Sequence, residues 1–140
     1  MTPDTLFQIA NPLALTGWLA LTLSPLAPKL AQGWAHGVVL VQSVLYAALV
    51  LAFWAGAEGG FDSLANVQAL FRKPEIALAG WVHYLAFDLF VSAWAVRVAR
   101  AEGIAHALVL PCLIPIFLFG PAGLITFGIL RFSLTRKVLP

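Results

Sequence analysis

The sequence is poor in charge. Only 10% of its 140 residues are Asp, Glu, Lys or Arg, against about 25% in soluble domains. It is 61% hydrophobic with a mean hydropathy of +0.93, more apolar surface than a small soluble core can hide. Lipid must cover much of it. Cysteine is nearly absent as well. Cys112 stands alone, which excludes an internal disulfide and a thiolate metal cluster, and with no basic neighbour its thiol reads as buried and inert. The eight basic residues are scattered at segment ends, without the clustering that nucleic-acid binding requires. No phosphate-cradling glycine motif, nucleophile elbow or set of clustered metal ligands occurs. Hydrolase, kinase and nucleotide chemistry therefore have no support. The opening Met1-Thr2-Pro3-Asp4 lacks the basic start of a secretory signal, and no Arg- and Ser-rich transit segment follows. The expectation is a bacterial inner-membrane protein whose first helix stays in place.

What the sequence does have is long apolar runs. Four segments are each long enough to span a bilayer, since about 20 helical residues cross the hydrocarbon core. They run from Leu6 to Leu23, His36 to Ala57, Glu75 to Val96 and Ile104 to Leu130. Pro25 and Pro28 end the first, and Gly56, Gly59 and Gly60 end the second, because proline lacks a donor and glycine loosens the backbone. Between the second and third, Phe61, Leu64, Val67 and Phe71 fall on one flank of a short interfacial helix. The predicted fold is all-α: one domain over residues 1–140, a membrane bundle of four transmembrane helices plus that interfacial helix. Such a topology puts both termini on one face. Arg72, Lys73, Arg131, Arg136 and Lys137 would lie there, opposite Lys29, Arg97 and Arg100, which favours cytoplasmic termini.

One formal charge lies inside a predicted span. Asp88 falls roughly 20 Å along the third segment, near the bilayer midplane. An acid there costs about 2.5–3.5 kcal/mol on insertion scales and faces a bundle interior or polar cavity. Trp81, Tyr84, Asp88 and Ser92 lie within about 80° on a helical wheel, forming one polar and aromatic stripe. Asp88 is the candidate general acid, with a structural hydrogen bond to a neighbouring helix as the alternative. His83 sits about 140° away around the helix, so no direct His–Asp dyad is expected. It is a candidate base, a residue of a cavity mouth or a partner for a carbonyl. Other spans offer Gln42 and Tyr46 one turn apart, and Asn11 with Trp18 on one face; these are candidate ligand contacts or interhelical glue. Pro121 frees the carbonyl of Phe117, adding an acceptor inside the bundle. His36 and His106 begin the second and fourth segments, far from His83, and lack acidic second partners.

Several stretches carry a resemblance. Leu70-Phe71-Arg72-Lys73-Pro74 and Ala79-Gly80-Trp81-Val82-His83-Tyr84-Leu85-Ala86-Phe87-Asp88-Leu89-Phe90-Val91 resemble the signature of the neoxanthin synthase-like family, the plant abscisic-acid-deficient membrane proteins. Phe7-Gln8-Ile9-Ala10-Asn11-Pro12, Leu110-Pro111-Cys112 and Phe119-Gly120-Pro121-Ala122-Gly123 fit the same family. The resemblance implies a four-helix membrane protein linked to converting violaxanthin, an epoxycarotenoid, into the allenic neoxanthin. On that reading Asp88, His83 and Tyr84 are catalytic candidates, and Trp81, Asn11, Trp18, Gln42, Tyr46 and Ser92 line a groove for a lipophilic carotenoid or isoprenoid. The isomerisation calls for no cofactor and no metal. Expected partners are that lipophilic molecule and membrane lipid, with self-association left open. Two other classes stay open: a pigment-binding or assembly protein without turnover, and a small haem protein using His83 or the pair His36 and His106.

Overall fold

Proline opens four of the six α-helices in the computed structural model of this chain, which describes residues 1–137. The helices are α1 (Pro3–Thr22), α2 (Pro28–Phe53), α3 (Leu64–Leu70), α4 (Pro74–Ala101), α5 (His106–Phe119) and α6 (Pro121–Thr135). Among the described residues there is no strand. Pro3, Pro28, Pro74 and Pro121 sit at first helical positions, where the missing donor costs nothing and the fixed φ suits a helix. That explains why α2 begins eight residues before the predicted His36. Thr2 caps α1 by accepting from the Thr5 amide at 3.2 Å, and Ser63 caps α3 through Asn66 in the same way. The short helix between the second and third segments thus exists. It docks through Leu70, 2% exposed, while Phe61 and Leu64 point outward.

The turn-extended α2 (Pro28–Gly56) and α4 are long and apolar enough to cross a membrane, with mean hydropathies of 2.2 and 1.5. α4 is the hub: it packs on α1, α2 and α5 and carries more buried residues than any other helix. α1 runs parallel to it, since Asn11 meets Trp81, Gly17 meets Leu89 and Trp18 meets Ser92.

The fourth predicted span is not one helix. It breaks at Gly120 into α5 and α6, roughly 21 and 22 Å long, each about half the depth of α4. Contacts fix their directions. His106 binds the Thr22 carbonyl at the C-terminal end of α1, and Phe117 meets Tyr84 and Trp18 further in. α6 then returns: Phe127 packs edge-on to Trp94, and Arg131 reaches Glu102, just past the end of α4. Gly123 lets the two arms meet, because a Cβ there would collide with the Ile116 backbone. The segment is a helical hairpin in place of the single long helix expected there, so that two helices, α2 and α4, rather than four are long and apolar enough to cross a membrane, and the two ends of the described chain lie toward opposite ends of α4. Met1 lies toward the Lys73 end of α4 and Lys137 toward the Glu102 end, where its Nζ is 3.3 Å from Glu102. Arg131 grips Glu102 through two bonds of 2.9 and 2.8 Å, and this pairing, with Lys137, holds the Glu102 carboxyl down at about 2.

Candidate functional site

Asp88 lies near the midpoint of α4 and is 6% exposed. Its carboxyl packs on Gly120, the residue at the tip of the hairpin. Gly120 holds φ +36°, a backbone conformation that L side chains rarely adopt, and a Cβ there would run into the Asp88 oxygens. Only glycine meets both demands. The Oδ2 atom has no hydrogen-bond partner among the described residues, an arrangement that is costly unless a proton or ligand intervenes.

Tyr84 stands one turn before Asp88 on the same face. Its hydroxyl donates to the Phe117 carbonyl at 3.2 Å, and it lies close enough to the Asp88 carboxyl to interact with it electrostatically. This carbonyl is the one that Pro121 leaves without a helical donor. One phenolic hydrogen cannot serve both acceptors. A protonated Asp88 donates to the Tyr84 oxygen while Tyr84 donates to Phe117, and the chain is then complete. An ionised Asp88 competes with Phe117 for that hydrogen.

Tyr84 also reaches an open wall. A cavity of about 280 Å³ between α1, α4 and α5 is lined by Asn11, Leu15, Trp81, Tyr84, Leu85 and Phe117. A second hollow of about 300 Å³ shares Leu15 and Phe117 and continues past Trp18 to Thr22. Together they form an apolar groove along the seam of α1 and α5. Trp81 is held at one end, donating to Asn11 Oδ1 at 2.7 Å and stacking on Tyr84 with centroids 5.3 Å apart. Trp18 sets the middle, packing edge-on to Phe117 at 4.9 Å.

The remaining sequence candidates lie elsewhere. Asp88 itself stands behind the groove wall, touching it through Tyr84. Ser92 is fully buried and accepts from Trp18 Nε1 at 3.0 Å, so it positions that indole and offers no ligand contact. Gln42, 1% exposed, donates to the Ala10 carbonyl at 3.0 Å on the seam of α1 and α2. Tyr46 and His83 pack together at 5.3 Å, and His83 stacks on Phe87 at 4.5 Å, on the side of α4 that faces α2. His83 is therefore remote from the groove. His36 binds the Gln32 carbonyl and His106 the Thr22 carbonyl, each engaged separately. Among the described residues no three His, Cys, Asp or Glu side chains gather as metal ligands. Sequence reasoning missed Leu15, Leu85 and the seating of Asp88 on Gly120. The Gly120-Pro121 pair was the available signal for the last.

The family model described as ABA DEFICIENT 4-like matches residues 5–127, nearly the whole chain. No curated protein and no solved structure matches the chain.

Proposed function

The chain belongs to the ABA DEFICIENT 4-like family, and from that premise we propose that it is a membrane enzyme that isomerises an epoxide end group of a carotenoid or related isoprenoid. The family description names a deficiency in abscisic acid, which ties the chain to carotenoid-linked chemistry. The observation that carries the reading is the pairing of Tyr84, on the groove wall, with the buried carboxyl of Asp88 behind it. A polyene suits an apolar groove closed at one end by Trp81 and Asn11.

The chemistry balances without a cofactor. Tyr84 gives its proton to the epoxide oxygen as the bond from oxygen to the ring carbon bearing the polyene breaks. Asp88 replaces the Tyr84 proton, leaving a carboxylate. The positive charge spreads into the polyene beside the faces of Trp81 and Tyr84, which favour it. The first polyene carbon then loses its proton to the Tyr84 oxygen, Tyr84 passes one to Asp88, and an allenic alcohol of unchanged mass remains. Asn11 Nδ2, which makes no hydrogen bond among the described residues, is the group for a ring hydroxyl. Histidine takes no part.

In the membrane, α1, α2 and α4 cross and the α5–α6 hairpin enters and returns. Support comes from the exposed apolar surface, with Leu51 86%, Leu40 66% and Ile129 65% exposed, which lipid would cover. With the hairpin folded back, Lys29, Arg97, Arg100, Arg131, Arg136 and Lys137 share one end, against Arg72 and Lys73 at the other. Six against two favours a cytoplasmic C-terminus and an N-terminus on the other side. The test of function is pigment extraction from a violaxanthin-making host with and without the protein. An allenic product of equal mass supports the proposal. Pigment that copurifies unchanged would replace it with a binding role.

A further inference from the structure

The strongest unassigned feature lies at the basic end of α4, about 18 Å along the helix from Asp88. A cavity of about 380 Å³ there is lined by Ser24, Gln32, Arg97, Arg100 and His106 over an apolar floor that includes Val96 and Val109. An adjoining hollow of about 550 Å³ shares Gln32 and Arg100 and adds Lys29. Three fixed cations thus converge on one opening. The nearby acid, Glu102, already serves Arg131 and Lys137, so it does not neutralise them. α2 and α5 both begin here without side-chain caps, leaving backbone amides turned toward negative charge.

One buried polar atom, Gln32 Oε1, and one cavity-lining hydroxyl, that of Ser24, lack a partner among the described residues. Ser24 is 4% exposed, and its hydroxyl makes no hydrogen bond among the described residues. The Gln32 amide is pinned by its Nε2, which donates to the Ala93 carbonyl at 3.0 Å, while its Oε1 is buried with no partner. That oxygen can only accept. Cations alone would suit any anion; a fixed acceptor beside them calls for an anion that also carries a hydroxyl.

We propose that this cavity binds a phosphate ester bearing a hydroxyl, with Lys29, Arg97 and Arg100 on the phosphate and Gln32 Oε1 accepting from the hydroxyl. A glycerol-headgroup phospholipid of the adjoining leaflet and a soluble glycerol phosphate share that chemistry. The test uses the full chain in neutral detergent, with phosphatidylglycerol, phosphatidylmethanol and phosphatidylcholine as probes and native mass spectrometry as the readout. Phosphatidylglycerol should be retained about tenfold more tightly than phosphatidylcholine, and Arg97→Gln with Arg100→Gln should remove about tenfold. Both arginines are exposed, so the double variant keeps the fold, checked by its helical circular dichroism. Gln32→Leu should lower phosphatidylglycerol to the level of phosphatidylmethanol and leave the latter unchanged. Displacement by equimolar glycerol 3-phosphate would assign the site to the soluble ester, and no displacement to the lipid. Equal retention of phosphatidylcholine, or no loss in the arginine variant, overturns the proposal.

Discussion

The phenolic hydrogen of Tyr84 goes to the Phe117 carbonyl while the Asp88 carboxyl lies nearby, and the proposed chemistry depends on a proton passing between Asp88 and Tyr84. Asp88→Asn keeps size and an oxygen but removes the transferable proton. It should leave the protein folded and lower turnover of an epoxycarotenoid by about two to four orders of magnitude. Tyr84→Phe should do the same, and the double variant should be little worse, because the two residues act as one unit. His83→Ala should keep turnover within about threefold, since its ring contacts are with Tyr46 and Phe87. Initial rates of the four variants decide the assignment. Much of this site was legible in the sequence. An acid in an apolar run marks itself by its cost, and helical spacing placed Trp81 and Tyr84 beside it. Periodicity gives a face but not its neighbour, so nothing in the spacing distinguished Ser92, taken by Trp18, from a free hydroxyl, or Gln42 on the α2 seam from a groove residue.

The hairpin of α5 and α6 is the element that builds the site, and its sequence disguised it. Residues from Ile104 to Leu130 read as one apolar span interrupted by Pro111, Pro115 and Gly120-Pro121, and hydropathy alone cannot tell a kinked crossing from a reversal. Gly120 decides between them. Gly120→Ala adds a strained φ and a clash with the Asp88 carboxyl, and should cost about 1–3 kcal/mol in detergent unfolding. Gly103→Ala, also at positive φ but in open space, should cost less. The open end of the hairpin is clamped by Glu102. Its carboxyl is held near 2, below its ordinary 4.5, so the clamp is fully present above about pH 4.5 and is lost as pH falls through about 2. Glu102→Gln should therefore lower Tm at pH 6, and the gap to wild type should close between about pH 4.5 and 2. A gap that persists unchanged at pH 2 would show that the ion pairs are not its source.

At the scale of the whole molecule, the proposed topology, with the α5–α6 hairpin returning to its own side, reverses the orientation expected for four crossings. With four crossings the basic residues divide five against three; with the hairpin returned they divide six against two, and the preferred orientation of the N-terminus inverts. Reporter fusions at Met1 and after Lys137 should report opposite compartments, with the C-terminal one cytoplasmic. The same compartment for both would restore four crossings and remove Gly120 from its place under Asp88. The most direct test of the central claim is catalytic. Purified chain in lipid nanodiscs, supplied with an epoxycarotenoid and nothing else, should yield an allenic product of identical mass, and the Asp88→Asn protein should yield almost none. No product from wild type, or an undiminished rate from Asp88→Asn, would contradict the account.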